Sequence, residues 1–140
     1  MPTNETKESK QLKLDLRYLR MARIWAENSY CQRRKVGALV VKEKMIISDG
    51  YNGTPSGFEN VCEDETDTTK PYVLHAEANA IISAQRRDMV GASIYLVGRN
   101  ARSGELLHDA TSCPMCRRMI INAGLDEVVI RRTETEFDSF

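Results

Sequence analysis

Leu12, Leu16, Leu19 and Ile24 recur at helical spacing between Gln11 and about Asn28, with charged residues between them, and this pattern predicts an amphipathic helix. After the polar break "NSYCQRRK" come two β-branched runs, "VGALVV" and "MIISDGYN". Only Lys42, Glu43 and Lys44 divide them, so a hairpin is predicted. The next stretch, "NGTPSGFENVCEDETDTTKP", is rich in glycine, proline and acidic residues. A loop of that length inside a compact domain is more often functional than idle. "LHAEANAIISAQRR" from Leu74 to about Arg87 reads as a helix with Ala76, Ala80, Ile81 and Ala84 on one side. "ASIYLVG" is a strand and "RNARSGELLHDATS" a connection. Cys113 to Ala123 is a helix stopped by Gly124, and "DEVVIRR" is a closing strand.

The order is α, β, β, α, β, α, β. Its second half alternates strand and helix, which calls for β-α-β connections and a sheet that is parallel at least there. With 140 residues the chain has material for one core. A single domain is predicted over residues 11–133, with 1–10 a polar, disordered N-terminus and 134–140 a polar tail. Twenty basic residues balance twenty acidic ones, which argues against a broad nucleic-acid footprint, although "RRK" at Arg33 to Lys35 suits one phosphate. No apolar run reaches a membrane span and the start "MPTNETKESK" lacks a signal-peptide core, so a cytoplasmic protein is expected. Four irregularly spaced cysteines in such a chain favour free thiols or metal ligands over a disulfide framework.

Cys113 and Cys116 are three positions apart and share a helical face, so both sulfurs reach one point. Alone, such a pair is as well explained by buried thiols packing as small apolar groups. "HAE", His75 to Glu77, adds an imidazole and a carboxylate at another helix start. Imidazole with two thiolates is an accepted catalytic zinc set that keeps one position for water. Two residues apart inside a regular helix, His75 and Glu77 would diverge, so the motif belongs at a first turn. There the positive helix ends favour anionic ligands and lowered thiol pKa values, and Glu77 is free to carry protons. Read singly, His75 is a cap and Glu77 a first-turn acid.

"HAEANAI" with "CPMC" resembles the zinc-dependent cytidine deaminase superfamily. "VGALVVKEKMIISDGYNGTPSG" is similar to its deoxycytidylate deaminase branch, and the likeness runs from about Arg33 to Ile130. The resemblance implies an α/β fold, a three-layer α-β-α sandwich around a mixed sheet of about five strands. It also implies hydrolysis of deoxycytidine monophosphate to deoxyuridine monophosphate and ammonia. It makes His75, Cys113 and Cys116 ligands of one Zn2+, and Glu77 the catalytic proton carrier. The backbone at Ala76 would take the ring carbonyl, Asn52 the sugar hydroxyl and Arg33 the phosphate, with Ser112 also near substrate. Gly53, in a lid over nucleotide, and Arg86 would belong to control by nucleoside triphosphates with Mg2+.

Relatives assemble through helices, so a homo-oligomer of two to six chains is implied, with Trp25 and the first-helix leucines in the core and part of that face a contact. Some relatives hold a second zinc at places like Cys31 and Cys62. With His75 and His108 the only histidines, no second metal is expected here, and both cysteines are read as free thiols. Two departures stand out. Ser112 replaces the usual proline before the first zinc cysteine, and the connection from Arg99 to Ser112 is long enough to rim the site. The acidic stretch "ENVCEDETDTT" is read mainly as a solvated face. The competing classes are deamination of another cytosine or adenine substrate, tRNA included, and a zinc-stapled binding module without chemistry. Glu77 weighs against the latter, because a structural site fills all four positions and needs no proton carrier.

Overall fold

The structure, a computed structural model, describes residues 6–107, 110–133 and 136–140. Its elements are α1 (Lys7–Trp25), a short 3-10 turn at Ala26–Asn28, β1 (Arg34–Lys42), β2 (Met45–Tyr51), α2 (Ala76–Ile82), α3 (Arg86–Met89), β3 (Ser93–Asn100), α4 (Pro114–Ala123), β4 (Glu127–Arg131) and β5 (Phe137–Ser139). The five strands form one mixed sheet in the order β2-β1-β3-β4-β5. β1 is antiparallel to both β2 and β3, while β3 and β4 run parallel. The hairpin turn is only Glu43 and Lys44, both at positive φ.

Period-two alternation along the strands builds the three layers. Ala38, Val40, Ile94, Leu96 and Ile130 face α2 and α4, where Ala76, Ala80 and Ile120 meet them. Leu39, Val41, Tyr95, Val97 and Val129 face α1 and pack on Tyr18, Leu19 and Ala22. Gly37 is where α1 comes closest: a Cβ there would lie 2.0 Å from the Ala22 carbonyl oxygen. The α1 face also buries Asp15, whose Oδ1 accepts from Tyr95 Oη at 2.5 Å and Gln11 Nε2 at 2.8 Å. Burial, followed by the Asp15 carboxylate, pushes the Tyr95 phenol well above its usual range.

Several sequence expectations change. α1 starts at Lys7, inside the stretch expected to be disordered, because the Thr6 side chain accepts from Ser9 N at 3.0 Å and caps it. Residues 1–5 lie outside the described residues. The buried stripe of α1 is Asp15, Tyr18, Leu19 and Ala22. Leu12, Ile24 and Trp25 are exposed, with Trp25 Nε1 donating to Asp49 Oδ1 at 3.0 Å. The helix expected from Leu74 to Arg87 breaks after Ile82 and resumes as α3. The supposed polar tail supplies the fifth strand: Phe137 pairs with Arg131 and packs its ring on the α1-side core. Residues 134–135 lie outside the described set.

Cys31 and Cys62 are not free thiols but a disulfide, with Cα atoms 5.2 Å apart. The long loop after β2 folds back on the segment that leads into β1, which brings together two cysteines separated by 31 positions.

The Gly37→Ala variant should lose about 3 kcal/mol of stability, since its methyl group meets backbone that cannot rotate away. Urea denaturation checks this; unchanged stability would mean that α1 does not rest on β1 at that point.

Candidate active site

His75 is the N-cap of α2, with extended backbone at φ −77° and ψ 155°. Cys113 caps α4 in the same way, at φ −67° and ψ 165°, and Pro114 follows in the first turn, where a missing N–H costs nothing. The Cys113 sulfur accepts from Cys116 N at 3.4 Å. Non-helical backbone at His75 lets a side chain two positions before Glu77 turn toward the same place. Gly50 makes room for this start of α2, since a Cβ on it would lie 2.5 Å from the Ala76 oxygen. Asn79 Nδ2 donates to the Tyr51 carbonyl at 2.8 Å, and the Ser48 hydroxyl donates to the Ala80 carbonyl. Together these contacts seat α2 on the sheet.

His75 Nδ1 lies 3.4 Å from Cys113 Sγ and 3.3 Å from Cys116 Sγ. All three donors lie within 4.8 Å of one another. Tetrahedral zinc, with sulfur near 2.3 Å and nitrogen near 2.0 Å, separates its donors by about 3.5–3.8 Å. The donor set therefore fits that ion and leaves a fourth position for a non-protein ligand.

Glu77 is buried in the first turn of α2 and interacts with the Cys116 thiol. Burial raises the Cys116 pKa, and the Glu77 charge and Cys113 raise it further. For Cys116 this is the reverse of the lowered value expected from a helix start: desolvation and a neighbouring anion outweigh the dipole. A cation among these groups reverses the balance, since coordination deprotonates a thiol outright.

Beside the donors is a cavity of about 340 Å³, lined by Arg33, Arg34, Asn52, Glu63, His75 and Glu77. Ala76 also borders it. Asn52 is engaged with β1: its Oδ1 accepts from Val36 N at 2.9 Å and its Nδ2 donates to the Arg34 carbonyl at 2.8 Å. Each end of an amide can make two such bonds, so one remains at each for a ligand. The long connection does rim the cavity, through Leu107, Ala110 and Thr111. His108 and Asp109 lie outside the described residues. Ser112 is buried but does not line the cavity; its hydroxyl has no hydrogen-bond partner among the described residues, while its carbonyl accepts from Arg117 Nε at 3.0 Å.

The two positions connected above with effectors are not brought together. Gly53 bridges Leu74 and borders a second cavity, of about 500 Å³. Arg86 does not line that cavity, and its Nε donates to the Asn122 carbonyl at 2.9 Å, near the end of α4. Its charge therefore offsets the dipole of α4, not that of the helix expected to carry it. Arg34, part of the basic run Arg33 to Lys35, lines the cavity beside Arg33, whereas Glu63 has no signal in the sequence. Glu63 sits in a run of acids read as solvated, yet it is buried and both its oxygens accept from Gln32 N, at 3.0 and 3.2 Å.

A three-layer α/β domain that gathers an imidazole and two thiols at two helix starts, with a buried carboxylate beside them, defines a class of catalytic zinc proteins. Comparison with known proteins supplies the family: residues 12–132 match the cytidine and deoxycytidylate deaminase zinc-binding region, and the chain belongs to that family. The deoxycytidylate deaminase of Mycobacterium phage D29 is 30% identical over 126 residues, covering 80% of this chain and 89% of the phage protein. The human deoxycytidylate deaminase is 32% identical over 120 residues, but the match spans 80% of this chain and only 61% of the human protein. Among solved structures, the dCMP deaminase of cyanophage S-TIM5 in complex with dCMP and dUMP superposes with a TM-score of 0.69 at 35% identity, covering 91% of this chain and 84% of that one.

Cys116→Ser should weaken zinc binding by more than the roughly 10–100-fold that loss of a supporting partner costs, while far-UV circular dichroism stays native. Competition against a chromogenic chelator measures this. Unchanged zinc affinity would remove Cys116 from the ligand set.

Proposed function

We propose that this chain is a hydrolytic deaminase that converts deoxycytidine monophosphate and water to deoxyuridine monophosphate and ammonia. The observation that carries the reading is the buried Glu77 carboxylate, set against the donor set of His75, Cys113 and Cys116 and opening into a cavity that Arg33 and Arg34 also line. The two phage relatives support the substrate, since one is a deoxycytidylate deaminase and the other is a dCMP deaminase seen with dCMP and dUMP.

His75, Cys113 and Cys116 would hold zinc, which when bound would supply the Lewis acidity that makes water a nucleophile at neutral pH. Glu77 accepts a proton from the attacking water and passes it to the ring nitrogen beside the amino-bearing carbon; it then takes the second proton from the added hydroxyl as that becomes the new carbonyl, and gives it to the amino group, which leaves as ammonia. Its burial suits this role, because a carboxylate shielded from bulk water keeps the proton within the site. The Ala76 N–H, unpaired in the first turn of α2, donates to the ring carbonyl. Asn52, fixed by its two bonds to β1, offers its remaining amide hydrogen and lone pair to the sugar hydroxyl. Arg33 takes the phosphate through a charge-assisted contact, and Ser112 bounds the turn that carries the sulfurs.

The second cavity, with Gly53 and Tyr51 in its wall, is our candidate for a nucleoside triphosphate effector with Mg2+. Arg86 has no part in its lining. Exposed Leu12, Met21 and Ile24 on α1 support assembly of two to six copies. No described helix is long and apolar enough to cross a membrane; a cytoplasmic setting goes with a nucleotide-pool substrate.

Ammonia release from deoxycytidine monophosphate, deoxycytidine, cytidine monophosphate and a tRNA separates the substrate classes. Turnover of the deoxynucleotide well above the others is expected, whereas activity on tRNA alone would overturn the reading. Glu77→Gln should lower kcat by roughly 10²–10⁴-fold with zinc still bound at one per chain. Full activity in that variant would place the proton carrier elsewhere.

A further inference from the structure

The Cys31–Cys62 disulfide is not a remote staple. Both sulfurs are almost completely buried, and Cys31 itself lines the cavity with Arg33 and Arg34. The very next residues on each side are joined as well, through the Gln32 N–H and both oxygens of Glu63. Beyond them the loop closes on itself: Lys70 N donates to the Cys62 carbonyl at 2.7 Å, and Glu63 bridges Thr69. Thr69 and Glu63 then form cavity wall. Two adjacent cross-links thus fasten the loop that walls the cavity to the short segment that carries Arg33 and leads into β1 at Arg34. The donor set and Glu77 stand on other elements, α2 and α4.

From this we propose that the Cys31–Cys62 bond is a redox-sensitive brace that positions the arginine wall of the substrate cavity, so that its reduction weakens binding of the nucleotide phosphate and spares the chemical step. The proposal rests on the reading of Arg33 as the phosphate contact. In reduction, two external thiols give two electrons and two protons. The S–S bond breaks to the Cys31 and Cys62 thiols, and the external thiols leave as their own disulfide. In a reducing compartment a protein disulfide is typically transient and redox-sensing, and this one joins a loop to the wall of a binding cavity. With the bond open, the Gln32 N–H on Glu63 and the Tyr30 hydroxyl on Thr54 remain between the segment and the loop, and the loop wall loses its fixed spacing from Arg33 and Arg34, whose backbone the pairing of β1 with β3 still holds. Linkage requires the converse: a bound phosphate that prefers the braced form must favour the oxidised protein by the same factor.

The test uses the whole zinc-loaded protein equilibrated in glutathione buffers of varied reduced-to-oxidised ratio, with thiols counted by alkylation and mass spectrometry. Reduction should raise KM for deoxycytidine monophosphate about tenfold, within the usual range of coupling between sites, with kcat within about twofold. Reoxidation should restore KM. Saturating deoxyuridine monophosphate should shift the thiol–disulfide equilibrium toward the disulfide by the ratio of its own dissociation constants from the reduced and the oxidised enzyme, and deoxyuridine, without a phosphate, should leave it in place. The double variant Cys31→Ser/Cys62→Ser should copy the reduced enzyme, and if it does not fold, reversible reduction of the native chain decides alone. Unchanged KM with both thiols fully free, a loss confined to kcat, or uptake of a second zinc by Cys31, Cys62 and Glu63 on reduction would each overturn the brace. Arg33→Ala separates the two ways to fail. If it raises KM for the monophosphate while reduction does not, the brace alone is wrong; if it leaves that KM unchanged, the phosphate reading falls and takes the brace with it.

Discussion

The convergence of one imidazole and two thiols is the constraint from which the rest of the structure follows. Three donors within 4.8 Å, Cys116 on α4, Cys113 at its N-cap and His75 at the N-cap of α2, have to be delivered by helices that begin far apart in sequence. A buried thiol and a buried carboxylate so close together are costly without a cation, as the raised Cys116 pKa records. The sheet meets this demand with position. β3 leads through the long connection to α4, β2 leads through the loop to α2, and both helices pack on the same face. Glycine at position 50 and the caps at His75 and Cys113 set the final approach.

The opposite face of the sheet is covered by α1. α1 lies on the central strands through Tyr18, Leu19 and Ala22, and the Tyr95 hydroxyl bonded to Asp15 ties that helix to β3. The Tyr18 and Tyr95 rings, with centroids 5.1 Å apart, fill the space between. β3 therefore serves both layers at once, carrying Ile94 and Leu96 toward the site side and Tyr95 and Val97 toward α1. A strand locked in this way holds the chain that feeds α4 in a fixed place.

What could be read from the sequence was what is local. His-Ala-Glu and Cys-x-x-Cys carry their geometry within a single turn, so the donor set and its carboxylate were visible, as were four of the strands by their apolar, β-branched runs. What could not be read depends on contacts between distant segments. Nothing around Cys31 points to Cys62, and nothing in a run of acids distinguishes Glu63, which is buried because Gln32 N faces it, from its exposed neighbour Asp64. β5 has only three residues and acquires its identity from pairing with β4. Leu12, Ile24 and Trp25 misled because apolar spacing marks a face without saying how much of it the sheet covers. The helix break after Ile82 has no proline or glycine to announce it.

X-ray absorption at the zinc edge of the native protein, prepared without chelator, tests the central constraint most directly. Two sulfurs and one imidazole nitrogen should ligate a single zinc, with one light-atom ligand in the fourth place. A shell of four sulfurs, a shell without sulfur, or no zinc in the sample would contradict it.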